Sequence, residues 1–317
     1  MDPLVKMTMG STGVQVTRLG LGARGIVDPA VEVSDAEGRE TVAQALEAGI
    51  RYIDTSPRYG LGRSERLVGQ VLAGVARESY VLSTKVGRIL DPTARGGWFW
   101  DFSAEGVRRS LAESGERLGI DRADILYVHS PGDEHFDQVM AETYPELAAM
   151  RARGEVKAIG CGLTSEERCL RFAQAGDWDC FLLAGRYTLL DQSALTEFLP
   201  YCVEHGISIV IGGPYNSGIL ASDLGPDALY NYCVASPEVL DRARRIRDVC
   251  RAHDVPLKAA ALQFVLAHPA VVSVIPGSSF ASHVTENAAM VAQPIPAALW
   301  DAMREKGLLA VDAPVPE

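Results

Sequence analysis

Ser34-Asp35-Ala36-Glu37-Gly38-Arg39-Glu40-Thr41-Val42-Ala43-Gln44-Ala45-Leu46-Glu47-Ala48-Gly49-Ile50-Arg51-Tyr52-Ile53-Asp54 is the stretch whose reading decides the fold. Ser34 and Glu37 have the spacing of a capping box, which predicts a helix over 35–48. Gly49 supplies the stop, because glycine enters the left-handed region that ends a helix. A short apolar strand over 51–54 follows at once and ends on a carboxylate. A helix feeding directly into a buried strand is half of a βαβ unit.

The same rhythm extends in both directions. Upstream, a strand over 19–22 is preceded by a weakly alternating hairpin, 7–9 and 14–17, around Gly10-Ser11-Thr12-Gly13. Downstream, strands are expected over 81–85, 125–129, 156–160, 180–183, 207–211 and 271–275. Helices are expected over 64–72, 104–118, 144–153, 165–174, 193–205, 237–253 and 257–266. Ser282 is read as the cap of a helix to about residue 291, and a last helix covers 297–306. Eight strands alternating with helices imply a parallel sheet. The strands are apolar on both faces, as buried parallel strands are. Eight units without a break favour a (β/α)8 TIM barrel over a doubly wound open sheet. The expectation is one domain over 1–317, with an N-terminal hairpin and extra C-terminal helices. Three long irregular loops, 87–102, 130–143 and 221–236, all follow strands and so belong on the catalytic face.

Composition narrows the function. The chain has 317 residues, 47% hydrophobic and 22% charged, which suits a large core. The net charge is −11 and the pI about 5.1, with no run of basic residues. Nucleic acid and anionic membrane are therefore poor partners, and a small molecule is expected. Six scattered cysteines (161, 169, 180, 202, 233 and 250) have no zinc spacing, so no metal site is expected and a reducing compartment fits. No signal-like apolar region or 18-residue apolar stretch is present, and a cytoplasmic location is expected. The oligomeric state is not legible.

Gly20-Leu21-Gly22-Ala23-Arg24-Gly25 matches G-x-G-x-x-G. No helix opens from it, however, and a dinucleotide fingerprint requires one. The stronger signal is positional. Asp54, Lys85 and His129 each end one of three consecutive strands, and Tyr59 lies five residues after Asp54. In a barrel these ends meet at one mouth.

The segments Gly49 to Ser56, Tyr59-Gly60, Ser83-Thr84-Lys85-Val86, Asp124 to His129, Gly154 to Gly160 and Ile275-Pro276-Gly277 with Glu286-Asn287 together resemble the aldo-keto reductase family. The resemblance covers nearly the whole chain. It implies a nicotinamide-dependent oxidoreductase with Tyr59 as general acid/base, Lys85 and Asp54 behind it, and His129 orienting the substrate oxygen. On this reading Lys85 lowers the Tyr59 pKa from its usual value of about 10. The family's usual basic contacts to a 2′-phosphate fall here on Gly277, Ser279 and His283, none permanently charged. NAD is therefore expected over NADP, with Arg24 or Arg186 as alternative phosphate contacts. The usual nicotinamide contacts fall on Gly162-Leu163, Ala184 and Gly212, so Thr164, Tyr215 and Asn216 are expected substitutes. Ser217 and Gly218 are read as pyrophosphate contacts, and Ser278 and Asn287 complete the cofactor segment.

The run Ala184 to Gln192 with Asn216-Ser217-Gly218 is similar to a branch of NAD-dependent aldose and pyridoxal dehydrogenases. That implies oxidation of a cyclic hemiacetal, such as an L-fucose-like aldose, to a lactone, or else of pyridoxal. Trp98, Phe99 and Trp100 are expected to stack on the ring or to pin their loop, and Asp101, Ser130 and Asp133 to bind hydroxyls. General aldehyde or ketone reduction, a nucleotide-binding regulatory subunit and a non-redox barrel are the alternatives. Ser130 beside His129 lacks the elbow motif of a serine hydrolase.

Overall fold

The structure is a computed structural model and describes residues 1–316. Eight strands form its central sheet: β1 (Leu21–Gly22), β2 (Tyr52–Asp54), β3 (Val81–Val86), β4 (Ile125–His129), β5 (Ala158–Leu163), β6 (Cys180–Ala184), β7 (Ser208–Gly212) and β8 (Val271–Ile275). Each pairs in parallel with the next in chain order. Bridges Leu19–Val274 and Gly22–Gly277 join the first strand to the last. There the Gly20 N–H donates to the Val274 carbonyl and the Val274 N–H to the Arg18 carbonyl, both at 2.9 Å. The sheet is thus a (β/α)8 barrel, as expected.

Helices α1 (Asp35–Glu47), α2 (Arg63–Leu72), α3 (Ala104–Leu118), α4 (Tyr144–Ala152), α5 (Glu166–Ala175), α6 (Phe198–His205), α7 (Pro237–Ala252), α8 (Leu257–Leu266), α9 (Ala281–Ala292) and α10 (Ala297–Glu305) surround it. The Ser34–Glu37 capping box is complete. Among the described residues no helix is long and apolar enough to cross a membrane.

Strand alternation divides the core in two. Ile53, Leu82, Leu126 and Val128 point outward into the layer between strands and helices. Tyr52, Ile125, Tyr127, Ala158, Cys180 and Val210 point inward and pack with Met9, Val14 and Val16 of the hairpin formed by Lys6–Thr8 and Gln15–Thr17. The hairpin therefore plugs the N-terminal end of the barrel, and its Gly10 N–H donates to Ser208 Oγ at 2.8 Å.

Four expectations need correction. β5 runs to Leu163 rather than ending at Gly160. Glycine is needed at 160 because a Cβ there would stand 2.1 Å from the Cys180 carbonyl oxygen on β6. The helix expected over 193–205 is broken. A 3-10 turn, Ser193–Leu195, is held by Asp191, whose carboxylate accepts from the Ser193 N–H and hydroxyl, and α6 starts afresh at Phe198. Ser282 does not cap α9, which begins at Ala281 with Phe280 in the cap position and no side-chain cap. Finally, the long loops are not irregular. The first contains an antiparallel pair, Arg88–Leu90 with Trp98–Trp100, the second a run of helical turns, and the third a small pair, Leu229–Tyr230 with Cys233–Val234.

Candidate active site

Alternation places the site. Asp54 has the parity of inward Tyr52, Lys85 that of Ser83, and His129 that of Tyr127, so all three enter the barrel at its C-terminal mouth. Lys85 lies in register with Tyr127, and Asp54 with Ser83.

Lys85 and Asp54 are each 2% exposed and form a two-pronged ion pair, Nζ to Oδ1 at 2.8 Å and to Oδ2 at 2.7 Å. A third Lys85 hydrogen goes to the Thr55 carbonyl at 2.8 Å. Ser83 donates to Asp54 Oδ1 at 2.7 Å, and its oxygen lies 3.1 Å from the Tyr52 hydroxyl. Such complete pairing is what allows two charges to be buried together. Burial works to lower the Lys85 pKa, but Asp54 and Tyr59 outweigh it and raise it, so the ammonium is charged at neutral pH.

Tyr59 follows β2 on a turn closed by its N–H to the Ser56 carbonyl. Lys85 Nζ stands 4.8 Å from its ring centroid. The Tyr59 pKa departs from the sequence expectation. Burial raises it, Lys85 opposes this, Asp54 reinforces it, and the net direction is upward. The phenol keeps its proton at neutral pH chiefly because burial disfavours the phenolate, with Asp54 offsetting part of the help from Lys85. His129 meets Tyr59 edge to face, with ring centroids 5.9 Å apart. Its pKa is pushed well below the usual value by burial and then by Arg88, Lys85 and Arg58, so the imidazole is neutral. Its Nδ1 is 2.9 Å from Ser56 Oγ, which also accepts the Arg58 N–H at 3.1 Å.

Tyr59, Lys85 and His129 line a cavity of about 400 Å³ with Arg24, Arg58, Arg88, Ser130, Gly162, Leu163, Thr164, Ala184 and Tyr232 among its walls. Ser130 has φ 47° and donates its hydroxyl to the Gly162 carbonyl at 3.2 Å. Trp98 and Trp100 are not part of that wall. They meet edge to face, with ring centroids 4.9 Å apart, and pack behind Arg88, 4.7 and 4.3 Å from its guanidinium carbon. Arg58 and Arg88 were missed in the sequence, although Arg58 adjoins Tyr59.

Apart from Thr164, which follows β5 and lines that cavity, the residues expected at the cofactor gather on the other side of the mouth, after β7 and β8. Asn216, Ser217 and Gly218 are consecutive residues in the left-handed region. The Asn216 side chain is buried and holds the loops together, donating to the Gly185 carbonyl at 3.0 Å and accepting from the Thr188 hydroxyl. Its own part in binding therefore reduces to shaping this turn. Tyr215 donates to Asn287 Oδ1 at 2.7 Å, and Asn287 in turn reaches Ser278 Oγ at 3.3 Å. His283 Nδ1 accepts from the Ser279 N–H at 3.4 Å. Gly277 bridges β1. No side chain caps the start of α9, and its first N–H groups beside this cluster fit a phosphate-bearing nucleotide. Arg24 lies 3.6 Å from Asp28 and 5.0 Å from the Tyr232 ring centroid, while Arg186 binds Asp191 at 3.0 Å. Five of the six cysteines are buried and all are free.

Barrel and site together define a class, and the comparisons agree. The model of the Aldo/keto reductase family matches residues 18–307, and the chain belongs to that family; it is an oxidoreductase. It is 41% identical to a D-threo-aldose 1-dehydrogenase of Pseudomonas sp over 94% of this chain and 96% of the relative. It is 36% identical to a pyridoxal 4-dehydrogenase of Microbacterium luteolum, covering 96% and 98%. An aldo-keto reductase of Bacillus halodurans, solved in its holo form, superposes with a TM-score of 0.83 at 27% identity, over 99% of this chain and 98% of that one.

Proposed function

We propose that the protein oxidises the hydroxyl of a cyclic hemiacetal, an aldose in ring form, to a lactone with NAD as the preferred cofactor. The observation that carries this is the buried Asp54–Lys85 pair beneath Tyr59 in a cavity also lined by neutral His129. The bound nicotinamide would supply the hydride acceptor. Tyr59 takes the hydroxyl proton as its carbon–hydrogen bond breaks, and gives that proton back in the reverse reaction. Tyr59 acts as the base in its phenolate form, which Lys85 stabilises while Asp54 keeps Lys85 in place, and uptake of the proton returns it to the phenol. With Ser56 donating to Nδ1, His129 presents Nε2–H to the substrate oxygen.

The names of the two relatives favour an aldose first and pyridoxal second. NAD is favoured because Gly277, Ser279 and His283 carry no permanent charge. Lys258, the cation paired to this segment, is already held by Glu286 at 2.7 Å. Arg24 and Arg186 both have carboxylate partners. The test is absorbance at 340 nm with NAD+ or NADP+ against L-fucose, other aldoses and pyridoxal. Turnover with NAD+ and a sugar is expected. Faster turnover with NADP+ overturns the cofactor assignment. Reduction of neither cofactor by any substrate overturns the oxidative reading.

A further inference from the structure

The charge of the cavity is at odds with that of the protein. The chain carries a net −11, yet Arg24, Arg58, Lys85 and Arg88 all line the cavity and no Asp or Glu does. Two of these cations are accounted for, since Lys85 is paired with Asp54 and Arg24 lies near Asp28. Arg58 and Arg88 are not. Among the described residues neither has an ion-pair partner or a side-chain hydrogen bond, and the Nε of each is buried without a partner. Both lie against Trp98, with guanidinium carbons 5.4 and 4.7 Å from its ring centroid, and Arg88 also against Trp100 at 4.3 Å. Indole faces hold the guanidinium planes in place but leave their N–H edges unsatisfied. Burial and the charge of Arg58 lower the Arg88 pKa to about 10, a sign that the pair is electrostatically uncompensated.

Two half-buried guanidinium groups without a counter-charge are unfavourable, and an anion relieves this. The guanidinium fork matches the two oxygens of a carboxylate or a phosphate. Arg58 follows β2 and Arg88 follows β3, whereas the candidate cofactor cluster follows β7 and β8. We propose that Arg58 and Arg88 form an anion subsite beside Tyr59, so that the preferred substrate is a hydroxylated ring or aldehyde bearing a carboxylate or phosphate. The assignment rests on the dehydrogenase reading for its chemistry, but anion binding can be read without turnover.

The experiment compares D-galactose, D-galacturonate and D-galactose 6-phosphate with NAD+, in the wild-type enzyme and in Arg58→Gln and Arg88→Gln. The kcat/KM ratio of the better anionic sugar to the neutral one is expected to be about tenfold or more, falling at least tenfold in Arg88→Gln. The uronate and phosphate arms tell which anion fits. Quenching of tryptophan fluorescence by the same two anions, without NAD+, is expected in the wild type and lost in Arg88→Gln. This arm stands even if no sugar is oxidised. Thermal denaturation adds a readout that a merely structural role would move the other way. Arg88→Gln is expected to raise the Tm of the free protein, because it removes an unpaired, half-buried charge. The proposal is overturned if the neutral sugar is preferred, if quenching survives in Arg88→Gln, or if that variant weakens NAD+ binding as much as anion binding.

Discussion

The two sides of the barrel mouth are built on different principles. After β2, β3 and β4, charged and titratable side chains converge on one cavity: Lys85, Tyr59, His129, Arg58 and Arg88. After β7 and β8, the candidate cofactor cluster is made of glycines, serines, two asparagines, a tyrosine and a histidine, with left-handed turns and an uncapped helix start. One side works through ionisable groups held by strands. The other works through backbone donors held by neutral side chains. The first should therefore be sensitive to single substitutions and to pH, and the second tolerant of both.

The largest expected effect is on the first side. Tyr59→Phe should lower turnover about 1,000-fold. NAD+ affinity, measured by fluorescence titration, should change less than twofold. Near-normal turnover in this variant would remove the distinction between the two sides. Lys85→Met leaves Asp54 buried and charged, and should cost about 3–5 kcal/mol in urea denaturation. Adding Asp54→Asn should recover part of that loss. If it recovers none, the pair is not what makes this side fragile.

The pH profile sharpens the contrast. Because the Tyr59 pKa is raised, the phenolate needed for oxidation is scarce at neutral pH. Oxidation should accelerate about tenfold per pH unit into the alkaline range, and reduction should not. A plateau in kcat/KM for oxidation below pH 8 would contradict the raised value. On the second side, His283→Arg should improve NADP+ affinity about tenfold, through a charge-assisted bond of the kind this segment lacks. The smallest effect expected is about fivefold in kcat/KM for Ser56→Ala, from loss of the bond that orients His129. No change there would mean that the ring is held by packing alone.

The same contrast governs what could be read in advance. β4, β8, α3 and α8 run as the sequence predicts, because parallel strands show as apolar runs and well-bounded helices show their period. Asp54, Lys85 and His129 were legible because a strand end has an address in a barrel. The failures concern neighbours distant in sequence. Gly160 looks like a terminator until the Cys180 carbonyl is seen pressing on it. The Arg88–Leu90 and Trp98–Trp100 pair is too short for a periodicity, and Trp98 and Trp100 hold arginines rather than line the cavity. The direction of the Tyr59 shift depends on a balance among burial, Lys85 and Asp54 that composition does not contain. The role proposed for Arg58 and Arg88 rests on the partners they lack.

The plug of Met9, Val14 and Val16 at the far end of the barrel has a consequence for traffic. It makes the barrel a cup rather than a tube. Whatever reaches Lys85 must come and go through the C-terminal mouth, so ligands that share it can stand in one another's way.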